Sequence, residues 1–66
     1  MKSRVIINAK RTMTIAEIRE KFGMSSQLRV YHTKENGFPK PNNAGEYDTV
    51  AVVSWFRSRN RIVEVV

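Results

Sequence analysis

Apolar positions recur at helical spacing in three stretches of the chain and alternate or cluster at its ends. Ile15, Ile18 and Phe22 form one stripe among charged Glu17, Arg19, Glu20 and Lys21, and they predict a first helix over residues 14–22. Thr14 has Glu17 three residues on, the spacing of a capping box, and Gly23 supplies a left-handed C-cap. Met24 crosses a tight turn, after which Ser25 or Ser26 caps a second helix over residues 26–36. A helical wheel centred on Leu28 turns Leu28, Tyr31 and the stem of Glu35 inward, with His32 at the border. It turns Ser26, Arg29, Val30, Thr33 and Lys34 outward. Asp48 caps a third helix over 48–59 that buries Val52, Trp55 and Phe56.

The remaining segments read as extended chain. Residues 4–7 and 62–66 are rich in β-branched side chains and predict short strands. These two ends can pair within one chain or between chains; pairing within the chain hides both edges and is the favoured arrangement. Pro39 and Pro41 forbid helix, Asn42-Asn43-Ala44-Gly45 is a turn cluster, and Glu46-Tyr47 returns as a strand, so residues 39–47 predict a small hairpin wing. The expected fold is α+β: a small winged helix-turn-helix with three helices, a short β-hairpin wing and β-prone termini that can pair. It forms a single domain over residues 1–66, divided into an arm (1–13), a core (14–59) and a tail (60–66).

Composition narrows the function. Sixty-six residues make one domain, and a chain this short buries only about 60% of the surface its unfolded form exposes. There is no cysteine, which excludes disulfides and zinc fingers and fits a reducing cytoplasm. His32 is the single histidine and cannot form a metal cluster alone. The apolar runs are too short for a membrane span, and no signal-peptide core follows Lys2 and Arg4. The net charge is +6, and the arm carries Lys2, Arg4, Lys10 and Arg11 with no acid. A polyanionic partner is the natural inference, because each neutralised phosphate releases condensed counterions. Many small soluble proteins are basic without binding nucleic acid, so charge alone gives only a weak preference.

The order Thr14-Ile15-Ala16-Glu17-Ile18, Phe22-Gly23-Met24-Ser25, Tyr31, Gly37-Phe38-Pro39-Lys40-Pro41, Tyr47-Asp48 and Trp55 resembles the excisionase and AlpA-type regulators of bacteriophages and integrated elements. These are small MerR-like winged helix proteins. The outline is also similar to the DNA-binding domain of phage small terminase subunits, whose third helix ends in a Trp-Tyr pair where this chain has Trp55-Phe56. The resemblance covers roughly residues 13–59. The strand-like arm and the Ile-Val-Glu-Val-Val tail depart from the usual outline, and the wing carries only Lys40 as a cation. The resemblance implies binding to double-stranded DNA, with the second helix in the major groove and the wing on the backbone or minor groove. It further implies a role in excision or transcription regulation, or alternatively packaging-site recognition. An integrase, or further copies on adjacent sites, would be the protein partners, and a bacterial cytoplasm with its nucleoid the location.

Candidate contacts follow from the wheel and the charges. Arg29 on the outward face could pair bidentately with guanine, against the alternative of a solvated arginine paired with a carboxylate. Ser26, Gln27 and Thr33 can reach base edges or phosphates. Val30 either meets a thymine methyl or packs on its neighbours, and the two readings are even. Lys34 and Lys40 suit phosphates, and Lys10 and Arg11 suit the backbone or a minor groove; ordinary surface solubility is the competing explanation for each. Arg57, Arg59 and Arg61 read as helix-end charges that complement the macrodipole. Tyr31, Phe38, Tyr47, Trp55 and Phe56 read as core.

No catalytic constellation can be assembled from one histidine and no cysteine, and none of the three glycines belongs to a phosphate-cradling loop. A non-enzymatic binding protein is therefore expected, with no cofactor, no small-molecule substrate and no membrane association. A protein-interaction module is the third class in view, because the basic arm and β-prone tail could also serve protein contacts.

Overall fold

Thr14 opens the first helix of a computed structural model that describes residues 4–66. The first three residues of the expected arm lie outside the described residues. The elements run β1 (Arg4–Ile7), β2 (Thr12–Met13), α1 (Ile15–Phe22), α2 (Ser26–Glu35), β3 (Tyr47–Asp48), α3 (Thr49–Arg57) and β4 (Ile62–Val65). This is an α+β fold of three helices and a short antiparallel strand pair, compatible with a small winged helix.

Local side-chain chemistry starts each helix. The Thr14 hydroxyl accepts from the Glu17 amide at 3.1 Å, and the Glu17 carboxylate accepts from the Thr14 amide at 3.0 Å, closing the capping box. Ser25, rather than Ser26, caps α2 by accepting from the Leu28 amide, and Asp48 caps α3 by accepting from the Ala51 amide. Gly23 ends α1 at φ 68°, a left-handed conformation that costs any residue with a Cβ.

The termini pair within the chain. β1 and β4 run parallel, with Arg4 opposite Ile62 and Ile7 opposite Val65, and the ion pair from Arg4 to Glu64 spans 2.8 Å on the outer face. Val5, Ile7 and Val63 turn inward to the core.

The antiparallel pair joins β2 to β3, with Thr12 opposite Asp48 and Met13 opposite Tyr47. The expected hairpin across residues 39–47 is therefore corrected: Tyr47 finds its partner in the segment before α1, and residues 39–46 carry no strand. The physical reason lies in Pro39 and Pro41, two residues apart, which remove two amide donors from the same edge of any ladder. The segment is instead a loop closed on itself. The Asn42 amide donates to the Glu46 carbonyl at 2.8 Å, and the Asn42 side-chain oxygen accepts from the Ala44 and Glu46 amides.

The core gathers Met13, Ile18, Phe22, Met24, Phe38, Tyr47, Val52, Val53 and Phe56 around α3. Phe22 stacks on Phe56 at 3.9 Å between ring centroids, with the planes 4° apart. Helix α2 contributes no buried residue. Among the described residues, no helix is long and apolar enough to cross a membrane.

The capping box makes stability sensitive to acid. The Thr14 amide first, and then the Lys10 ammonium at 3.0 Å, hold the Glu17 carboxyl below its ordinary range. A carboxylate favoured in the folded state contributes stability above the unfolded-chain pKa of about 4.3, and that contribution is lost as pH falls through the folded value. Glu17→Gln should therefore melt below wild type at pH 7, and the gap between the two melting midpoints should close as the pH drops below about 4. Circular dichroism melts across pH 3–7 measure it; a gap that stays constant would show that the carboxylate charge contributes nothing.

Candidate nucleic-acid interface

The orientation of α2 is set by polar and aromatic contacts instead of buried apolar side chains. Arg29 Nη1 donates to the Tyr47 hydroxyl at 2.7 Å, and its guanidinium carbon lies 5.8 Å from the centre of the Tyr47 ring. His32 meets Trp55 edge-on at 5.1 Å, and the Trp55 indole N–H donates to the Asn36 carbonyl at 2.9 Å. The His32 carbonyl accepts from the amides of Asn36 and Phe38, which ties the C-terminal end of the helix to the chain that follows it. Arg29, His32, Thr33 and Asn36 are all partly buried and recur at i, i+3, i+4 and i+7, so together they are the inward face.

This corrects the wheel. Leu28 and Tyr31, expected inside, are 49% and 55% exposed. Arg29 and Thr33, expected outside, belong to the inward face, where the Thr33 hydroxyl donates to the Arg29 carbonyl at 2.7 Å. The cause is that the inner surface is built around the polar ends of Tyr47 and Trp55, which attract hydrogen-bonding groups and not leucine. Arg29 as the base reader on an outward face is therefore geometrically replaced: its guanidinium is held by Tyr47.

The outward face consists of Gln27, Val30, Tyr31 and Lys34, again at i, i+3, i+4 and i+7, with Ser26 at the N-terminal end; all five are exposed. Gln27 and Lys34 offer hydrogen-bonding tips, and Val30 and Tyr31 offer apolar surface between them. Tyr31 is the residue that sequence reasoning missed here. Its signal was present: apolar residues at 28, 30 and 31 fit no single stripe, so the side to bury was not decided by periodicity.

The remaining cations fall in different places. Lys40 is exposed on the loop between Phe38 and the Asn42 turn. Lys10 pairs with Glu17 and lines a groove against Val50, Val53 and Ser54, so it does not join the α2 face. The Arg11 carbonyl accepts from the Thr49 amide, while its side chain is exposed. Arg59 and Arg61 are instead brought beside α2. They share with Leu28, His32 and Trp55 a groove of about 290 Å³. Arg59 lies over the Trp55 ring at 4.5 Å, and Arg61 donates to the Phe22 carbonyl at 3.4 Å, an unpaired acceptor at the end of α1. Arg57 donates to the Val63 carbonyl at 2.8 Å.

The Arg29–Tyr47 contact can be tested directly, because Tyr47 is only 1% exposed and its ring would be kept by phenylalanine. Tyr47→Phe should cost about 1 kcal/mol in urea unfolding, the scale of one partly shielded charged hydrogen bond. Arg29→Ala should remove most of that difference in a double-mutant cycle, with a coupling of at least ~0.5 kcal/mol. Additive losses would mean that the two side chains do not hold each other. Comparison with protein-family models, curated proteins and solved structures finds no match to this chain.

Proposed function

We propose that this chain is a small double-stranded DNA-binding protein that lays the outward face of α2 in the major groove. The observation that carries this reading is the unpartnered stripe Gln27, Val30, Tyr31 and Lys34 on a capped helix that follows a glycine turn. A helix held to its domain by its polar side, with apolar and hydrogen-bonding groups facing out, suits a groove in which both kinds of contact exist. The net charge of +6 supports a polyanionic partner, and Lys34 with Lys40 supplies phosphate contacts. Arg59 and Arg61, which share a groove with Leu28 and His32 of α2, extend the set of cations available to the backbone.

In this reading Gln27 is the direct reader, since its amide can pair bidentately with adenine, and Val30 meets a thymine methyl. Tyr31 packs on sugar and base edges, and Arg29 acts indirectly by fixing the helix against Tyr47. The resemblance to excisionase and AlpA-type regulators supports a role in a bacteriophage or mobile element, in recombination or transcription, with an integrase or further copies on adjacent sites as partners.

A cognate duplex should first be selected from random sequence. On it, Gln27→Ala should cost about 1–3 kcal/mol and relax preference at one position, whereas Lys34→Ala should weaken cognate and random duplexes alike and lower the salt slope by about one unit at most. Fluorescence anisotropy over a salt series reads both effects. Equal or stronger binding to single strands, or a flat salt response, would reject the groove-binding reading.

A further inference from the structure

We infer that the groove between β4 and α3 takes an extended, acidic segment of another protein as an added strand. Four features meet there. The first is the cavity itself, about 340 Å³, walled by Val50, Val53, Val65 and Ala9 and flanked by Lys10 and Arg57. That volume is at the lower end of what specific ligand sites enclose, roughly 300–1,000 Å³.

The second is an open strand edge. The Val66 amide donates to the Ile7 carbonyl, and the Val66 carbonyl accepts from the Ala9 amide, so Val66 faces β1. Backbone groups alternate along a strand, which turns those of Val63 and Val65 away from β1. The Val63 carbonyl already accepts from Arg57 of α3, which confirms that this edge of β4 faces the helix across the groove. By the same alternation, the amide and carbonyl of Val65, opposite Ile7 in the register, point to this outer edge.

The third feature is Thr49, 3% exposed at the wall of the groove, whose hydroxyl has no hydrogen-bond partner. An unmet buried hydroxyl carries a desolvation cost that an incoming polar group would relieve. The fourth is exposed apolar surface: Val50 is 72% exposed, and Val65 also lies open. Strand addition draws on the open edge, the apolar walls and the flanking cations together. Main-chain bonds form at Val65, an alternate apolar side chain enters between Val50 and Val53, and carboxylates meet the unused donors of Arg57 and those the Lys10 ammonium keeps beyond its bond to Glu17.

The groove has a floor of valine and alanine with a single cation at either flank, which suits an alternating apolar and acidic strand better than the continuous row of phosphates on a duplex. It also lies on the far side of α3 from α2. Val50, Val53, Ser54 and Arg57 occupy one flank of the helix, while Trp55, Phe56 and Arg59 line the groove shared with α2 on the other. A protein bound here would leave Gln27, Val30, Tyr31 and Lys34 free.

An amide NMR titration with a capped synthetic peptide that alternates valine and glutamate tests the inference. Shifts should gather on Ala9, Lys10, Val50, Ser54, Val63 and Val65. A valine–lysine peptide, and a peptide with proline at its central positions, should produce far smaller ones. Ser54→Trp, which fills the groove from an exposed position, and Lys10→Gln, which removes the charge without setting a carboxylate against Glu17, should each weaken the acidic peptide by about tenfold. Val50→Asp replaces Ser54→Trp if the spectrum of the latter changes outside the groove. Absence of shifts, shifts centred on residues 27–34, or equal binding of the lysine peptide would overturn the assignment. A short duplex that perturbs the groove residues in place of α2 would overturn it as well.

Discussion

The parallel stack of Phe22 on Phe56 is the contact on which the other elements depend. It fixes the end of α1 against the last turn of α3, and the edges of Phe38 and Trp55 then close on Phe56 at 6.0 and 5.0 Å. Trp55, held in that cluster, presents its indole N–H to the last turn of α2, and Phe38, held beside it, anchors the loop that leads to Tyr47. A chain of this size has room for one such cluster, and the placement of α2 is inherited from it. Helix α2 is thus positioned without burying any residue of its own.

Parts of this arrangement were legible in the sequence because their causes are local. Thr14, Ser25 and Asp48 each accept from an amide three residues away, and Gly23 needs only its own backbone freedom, so the starts of all three helices and the end of the first could be read directly. The β-branched ends likewise announced strands. That they run parallel could not be read, because register and direction come from packing Val5, Ile7 and Val63 on the same core.

The rotation of α2 was hidden for a related reason. Arg29, His32 and Asn36 face inward only because Tyr47 and Trp55, many residues later, bring polar groups to that surface. A wheel scored on hydrophobicity turns Leu28 inward and misplaces the helix by about a third of a turn. The candidate site was therefore legible in which helix carries it, and in Gln27, Val30 and Lys34, but not in the roles of Arg29, Thr33 and Tyr31. The wing was misread at Tyr47, where the pairing partner lies at Met13, before two helices have intervened.

The parallel pairing of β1 with β4 has a topological consequence. Strands that run the same way place the start of one beside the start of the other, so Arg4 lies by Ile62 while Val66 lies by Ala9, at the opposite end of the sheet. An antiparallel pair of ends could be joined by a two-residue turn, but these need a linker that travels back along the strands, roughly 3.3 Å for each residue passed. The pair also closes a loop containing nearly the whole chain, whose entropy must be overcome before the contact gives any return. The sheet therefore carries the largest loop-closure cost of the two strand pairs, and neither end can form its ladder without the other.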